Sequence, residues 1–361
     1  MTQVHFIVPG DPNQCTGGYL YDARIVQGLR HLGWAVSVTG LAGHFPEPDE
    51  PAARAMDQAL ARIAPTDLAV IDGLALGGLP EVLRHHARRL RVLALVHHPL
   101  ADEYGLSADR AEALRAREQR TLHLVRQVVA TSAFTARHLV ADYAIPVDRV
   151  SVVEPGVDRT LAQGAQGFAS GEQEDPPRLL CVASLVPRKG HQVLVEALSC
   201  LKDLAWECDC VGDPLRDPSC ARDIRRAIEH HRLADRVHLR GALPQTALAA
   251  LYQRSQVFVL PSWYEGYGMV VAEALMHGLP VVATSGGALA ETVPEEASLQ
   301  VAPGDAGALA QALRRVMVDH SLCATLGAGA RRAAAALPGW LDQAARFAAI
   351  LAELDRREHS A

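Results

Sequence analysis

The sequence predicts an α/β protein made of two doubly wound domains that face each other across a cleft. Three observations carry this expectation. The chain has 361 residues, too many for one ordinary core at about 150 residues per domain. Short apolar, β-rich runs alternate with helical patterns in both halves, the signature of βα units and parallel sheets. Between the halves the alternation lapses into TLAQGAQGFASGEQEDPP, Thr160 to Pro177, polar and rich in Gly and Gln as a linker would be. The expected organisation is a first domain over residues 1–160, a linker over 161–177, a second domain over 178–337 and a terminal helix over 338–361.

VHFIVPG opens the first half as a strand, followed by a glycine loop and the helix-like YLYDARIVQGLRHLG. AVSVTG, LAVIDG, VLALVHHP, VVATS and VSVVEPG follow as strands, most of them separated by helical segments. In the second half RLLCVASL, WECDCVG, VHLRG, VFVLPS, PVVAT and SLQVAP read as strands, with helices around HQVLVEALSCL, ARDIRRAIEHHRL and MVVAEALMHG. Ligands of such sheets sit beyond the carboxyl ends of the strands. The tail GWLDQAARFAAILAELDRR reads as a long amphipathic helix that must pack on a neighbour. No short-period repeat is visible, which excludes a solenoid.

Composition narrows the function classes. Hydrophobic residues make up 49 % and charged residues 21 % of the chain, an ordinary globular balance. A net charge of −6 argues against a broad nucleic-acid surface. The N-terminus MTQVHFIVPG has no basic stretch before its apolar run, so neither secretion nor membrane spanning is expected. The seven cysteines, at 15, 181, 200, 208, 210, 220 and 323, lack paired zinc-ligand spacing and read as reduced, mostly buried thiols of a cytoplasmic protein. PEVLRHHARRLRVL gathers Arg84, Arg88, Arg89 and Arg91. It reads as a solvated helix face, with loose attachment to anionic lipid at the inner membrane face as the alternative. Lys189 and Lys202 are the two lysines of the chain, against thirty-three arginines.

The stretch PSWYEGYGMVVAEALMHGLPVV, Pro261 to Val282, carries the chemistry. A strand ends at Pro261, and the helix that follows is stopped by Gly278 and Pro280. In the turn between them Gly266 and Gly268 let backbone N–H groups crowd at the helix start, where unpaired donors and the positive end of the dipole attract phosphate. Glu265 stands at the rim of the turn. Glu273, seven residues intervening, leans from the helix back toward its N-terminus. Two carboxylates beside a phosphate seat suit a ligand with a diphosphate in the middle and polyols at both ends, a nucleotide sugar.

This stretch closely resembles the E-x7-E signature of the retaining glycosyltransferases of family 4, whose GT-B fold has two Rossmann-like domains, and the resemblance runs over nearly the whole chain. It implies that Glu273 holds the donor ribose, that Glu265 contacts the donor sugar, and that the amides of Gly266, Tyr267, Gly268 and Met269 receive the distal phosphate, with Tyr267 in place of the usual phenylalanine. VASLVPRKG, Val182 to Gly190, resembles the family loop in which Lys189 binds diphosphate. Ser184 occupies the family's arginine position, so either Arg188 swings in or the site works with one fewer cation. VHLRGALP resembles the segment that reads the base through backbone groups near Ala242 and Leu243. CTGGYLYDARI resembles the N-terminal glycine loop, with Gly17 and Gly18 approaching the donor phosphates. VHHPLADE places His97 where the family has a histidine near the reacting sugar, with Glu103 as an acceptor-side candidate. The tail with Trp340 resembles the helix that crosses back onto the first domain.

The resemblance implies transfer of a sugar from a UDP- or GDP-linked donor to an acceptor hydroxyl or amine, with retention; no residue is an obvious nucleophile on the opposite face, so front-face attack is expected. Lys189, Glu265 and His97 are its expected catalytic residues. Nothing resembles an Asp-x-Asp arrangement that would hold a divalent ion against diphosphate, so neither metal nor other cofactor is expected. A nucleotide-sugar epimerase or hydrolase, and a catalytically silent sugar-nucleotide-binding protein, are the rival readings. Acceptor, base identity and oligomeric state are not encoded legibly.

Overall fold

A computed structural model describes residues 2–14, 16–159 and 176–357. The chain forms two compact units, Met1–Gly156 with Pro338–Ala361 and Val157–Leu337. The expected linker lies outside the described residues through position 175. Among the described residues no helix is long and apolar enough to cross a membrane.

The first unit alternates β1 (Gln3–Pro9), α1 (Gly17–His31), β2 (Ala35–Leu41), α2 (Glu50–Ala61), β3 (Leu68–Asp72), α3 (Gly73–Leu76), α4 (Pro80–His86), β4 (Arg91–Val96), α5 (Ala108–Leu124), β5 (Gln127–Ala130), α6 (Ala133–Asp142) and β6 (Val150–Val152). The six strands form one parallel sheet in the order β2-β1-β3-β4-β5-β6. LAVID and RVLALV are buried at every position, as central strands covered on both faces must be. Asp49, Ser107 and Ser132 cap α2, α5 and α6 by accepting from first-turn amides, which satisfies donors that a helix start leaves open.

The second unit runs β7 (Arg178–Val182), α7 (His191–Ser199), β8 (Glu207–Val211), α8 (Pro218–His230), β9 (Val237–Gly241), α9 (Gln245–Arg254), β10 (Val257–Leu260), α10 (Met269–Met276), β11 (Val281–Thr284), α11 (Leu289–Thr292), β12 (Ser298–Val301), α12 (Ala306–Val318) and α13 (His320–Ala336). Its parallel sheet is ordered β12-β11-β10-β7-β8-β9. Each of the cysteines 181, 208 and 210 is buried in this core, and the six described cysteines are free thiols.

The terminal helix α14 (Trp340–Arg357) packs within the first unit. Gly28 of α1 makes this possible: a Cβ there would lie 2.3 Å from Ala344 Cβ, so the helices approach almost to backbone contact. Phe347 packs near Phe6, with ring centroids 6.1 Å apart, and Asp355 forms an ion pair with buried Arg91. The arginine-rich segment is therefore not one exposed face. Arg91 is turned inward, Arg89 donates to the carbonyls of Leu60 and Ile63 at 2.6 Å, and Arg84 pairs with Glu81 at 2.9 Å.

Candidate functional site

In the second sheet the chain moves outward from β7 to β8 and β9, then returns to lay β10 on the other side of β7. The carboxyl ends of β7 and β10 thus flank the switch point, where open α/β sheets receive ligands. The loop after β7 carries Ser184, Arg188 and Lys189, and the loop after β10 carries Glu265 to Gly268. The two loops are joined through backbone. The Trp263 amide donates to the Arg188 carbonyl at 2.8 Å. Gly190, at φ +68°, lies so close that a Cβ would stand 2.0 Å from the Pro261 carbonyl oxygen, and glycine alone fits both demands.

This junction brings the side chains together. Glu265, 6 % exposed, accepts from Lys189 Nζ at 2.5 Å and from Ser262 Oγ at 2.7 Å on one oxygen, and from Arg188 Nη1 at 3.4 Å on the other. Arg188 also donates to the Tyr264 carbonyl at 2.7 Å. Burial alone would raise the Glu265 carboxyl, but the Lys189 and Arg188 cations and the Ser262 hydroxyl hold it down at about 2. Two cations thus converge on one buried carboxylate. Of the alternatives open in the sequence, Arg188 is the one that turns inward. Ser184 is half-buried and its hydroxyl has no hydrogen-bond partner among the described residues.

The start of α10 adjoins this cluster. Its N-cap Gly268 is left-handed, at φ +93°, and a Cβ there would meet Leu289 Cδ2 at 2.6 Å. Thr292 Oγ1 donates to the Tyr267 carbonyl at 2.7 Å, which fixes the turn from beneath. The amides at Met269 and Val270 have no acceptor within the helix, as at any helix start. Glu273, on the fifth position of α10, is half-buried and accepts from Tyr252 Oη at 3.0 Å. The Tyr252 ring stacks on His277 with centroids 5.0 Å apart. Leu243 is not part of the junction: it follows β9, at the sheet edge and separated from β7 by β8.

The remaining candidates sit in the first unit, whose own switch point lies between β1 and β3. Gly17 and Gly18 open α1, and a Cβ on Gly18 would come within 3.2 Å of the His97 ring, whereas Gly17 faces open space. His97 Nε2 lies 3.2 Å from Asp22 Oδ1 and 3.3 Å from Asp72 Oδ2. Among the described residues this is the trio whose donor atoms converge most like those of a cation site, all within 4.8 Å; a ring proton shared between two carboxylates accounts for the same convergence. Burial opposes charge on His97, but Asp22 and Asp72 outweigh it and raise the imidazole from 6.5 to about 10. Asp22 moves the other way from an ordinary ion-paired acid, to about 6, because it is desolvated and shares one cation with Asp72. His98 lies 3.5 Å from Glu103, whose side chain is 44 % exposed.

Sequence reasoning did not single out Ser262, Tyr252, Asp22 or Asp72. A signal for the two aspartates was present: each is an acid beside a glycine turn at the carboxyl side of a predicted strand, in GGYLYD and in VIDG.

Comparison with known proteins bears on both halves. Residues 3–161 match the model of Glycosyltransferase Family 4, and residues 176–319 match that of Glycosyl transferases group 1. A D-inositol 3-phosphate glycosyltransferase of Thermobispora bispora is 32 % identical over 67 % of this chain and 59 % of its own length. An MMP alpha-(1->4)-mannosyltransferase of Mycolicibacterium hassiacum is 28 % identical over 85 % of this chain and 75 % of its own. The chain thus spans about three fifths of the first of these relatives. Among solved structures, sucrose-phosphate synthase of Thermosynechococcus elongatus superimposes with a TM-score of 0.80 at 24 % identity, covering 98 % of this chain and 99 % of that one. Anabaena HepE, in complex with UDP and glucose, gives 0.73 at 17 % identity, covering 98 % and 100 %. With the two parallel six-stranded sheets and the E-x7-E stretch at the second switch point, these matches place the chain in the family 4 glycosyltransferases, with the GT-B fold.

Proposed function

We propose that this protein transfers a sugar from a UDP- or GDP-linked donor to an acceptor hydroxyl, with retention of the anomeric configuration and without a metal ion. The observation that carries the reading is the Lys189–Arg188–Glu265 cluster beside the start of α10, at the second switch point. A diphosphate seated there meets two cations and the first-turn amides, positive charge enough to bind it without a divalent ion. As the bond from the anomeric carbon to the phosphate oxygen breaks, that oxygen takes the acceptor's proton while the acceptor oxygen bonds to the anomeric carbon on the same face. Lys189 and the helix start stabilise the charge developing on the diphosphate. Glu265 keeps both cations in place, and Glu273 accepts from the ribose hydroxyls.

The relatives support the class: one is a D-inositol 3-phosphate glycosyltransferase and one an MMP alpha-(1->4)-mannosyltransferase, while the HepE structure is a complex with UDP and glucose. The test is mass spectrometry of donor panels with and without source-cell extract. A new glycoside with release of nucleoside diphosphate, dependent on extract, is expected. Donor conversion without extract would favour an epimerase or hydrolase, and tight donor binding with no conversion would favour a silent binding protein.

A further inference from the structure

We propose that Asp22 and Asp72 are positioning residues for His97: together they hold its ring as an imidazolium, Nε2–H toward the carboxylates and Nδ1–H outward as a donor to a ligand oxygen. The clause about the ligand rests on the family 4 reading, in which His97 stands near the reacting sugar.

Geometry comes first. Asp72 ends β3, His97 follows β4 and Asp22 lies on α1, so three separate elements converge at the switch point of the first sheet. The Asp22 and Asp72 oxygens lie on the same ring nitrogen, at 3.2 and 3.3 Å, a placement that two acceptors tolerate only if that nitrogen carries a proton. The ring is fixed on its other sides. Gly18 leaves room for its Cδ2 edge, and Tyr21 meets it edge to face with centroids 5.3 Å apart. Tyr21 is itself pinned by donating to the Val153 carbonyl at 2.8 Å.

The second nitrogen is available. Nδ1 hydrogen-bonds to no described residue, and it is not among the buried polar atoms left without a partner. Asp22 Oδ2 is among them: one oxygen of a buried carboxylate faces no donor, a cost that a chain tolerates where the other oxygen has work to do.

Titratable groups facing the ring are Tyr21 and Asp22 from α1 and Asp72 from β3. Thr131, at the end of β5, donates to the His97 carbonyl at 3.2 Å and not to the ring. Two carboxylate oxygens at 3.2 and 3.3 Å from one ring nitrogen favour the cation on His97. Burial raises Tyr21, which stays protonated, and raises Asp22 only to about 6, so both aspartates can face the imidazolium as anions at neutral pH. A neutral imidazole with Nε2–H would present Nδ1 as an acceptor instead, and would be selective for ligand hydroxyls that can donate. The carboxylate pair decides between these two by keeping the second proton on the ring.

The test is nitrogen NMR of the full chain labelled with 15N-histidine, the His97 ring being assigned by comparison with His97→Gln. In the wild type the ring is expected to stay doubly protonated from pH 6 to pH 8, and to lose its proton at least one pH unit lower in Asp72→Asn and in Asp22→Asn. Asparagine keeps an acceptor for the Leu74 amide that Asp72 now caps at 2.7 Å, which protects α3 in the first variant. A ring that is neutral at pH 7, or one whose titration neither variant moves, overturns the proposal. So does retention of one equivalent of Mn2+ or Zn2+ through dialysis that Asp72→Asn abolishes, since the trio would then be a metal site. If the variants do not fold, the wild-type titration alone decides.

None of these arms uses a nucleotide sugar, so they stand or fall apart from the donor assignment. With an active donor and acceptor in hand, Asp72→Asn should lower kcat about 10- to 100-fold with little change in donor KM. The alkaline limb of the kcat profile should move with the NMR titration. A change in KM alone would leave the aspartates a purely structural role.

Discussion

Replacing Lys189 with methionine should destabilise the second unit in a way that depends on pH. Methionine keeps most of the stem and removes the ammonium that lies 2.5 Å from Glu265. In the native chain Glu265 sits at about 2 instead of 4.5, which at ~1.4 kcal/mol per tenfold in proton affinity amounts to about 3 kcal/mol at neutral pH. Arg188 and Ser262 remain after the substitution, so the loss should be about 2 kcal/mol, short of the ~3–5 kcal/mol for a fully orphaned buried charge. The sign follows from the depressed carboxyl. Its contribution is complete above pH 4.5 and disappears as the pH falls toward 2. Hydrogen exchange of peptides covering β7 and β10, read in urea at pH 7 and at pH 4, measures the gap between wild type and variant. The gap should be constant from pH 6 to pH 8 and shrink below pH 4.5. A gap that is absent at pH 7, or that grows in acid, would refute the ion-pair account of this junction.

Other consequences are equally direct. Glu273→Ala should weaken binding of UDP or GDP in a calorimetric titration about 10- to 100-fold, the worth of a hydrogen bond to a charged acceptor; wild-type affinity would remove Glu273 from the ribose. Gly190→Ala sets a Cβ against the Pro261 carbonyl at a left-handed φ and should cost about 2–4 kcal/mol in urea unfolding, with a loss under 0.5 kcal/mol contradicting the close approach. Gly28→Val should force α14 away from α1 and lower the stability of the first unit by about 1–3 kcal/mol, visible as faster exchange in peptides spanning residues 340–357. Transfer activity should survive exhaustive EDTA treatment, and a tenfold loss restored by Mn2+ would contradict a metal-free mechanism.

Much of the fold was legible because parallel strands write themselves as apolar runs. LAVID, RVLALV and VFVL are buried on both faces, so no alternation was needed to find them. Lys189 and Glu265 were legible through the motifs that bracket them, and their meeting follows from strand order, since both loops leave the same switch point. What was not legible is pairing over distance. Whether Arg188 turned inward depended on the Tyr264 carbonyl and Glu265, 76 and 77 positions away. Asp22 meets His97 across 75 positions, and Tyr252 meets Glu273 from another helix. The clustered arginines misled for the same reason. Arg91 reads as one of a basic run, yet it is buried because Asp355, near the far end of the chain, supplies its counter-charge.

The proposed donor seat is tested most directly by a crystal structure of the chain with bound UDP. The β-phosphate should lie within hydrogen-bond distance of Lys189 Nζ and of the amides that open α10, with the ribose on Glu273. A diphosphate bound elsewhere, with the Lys189–Glu265 pair untouched, would contradict it.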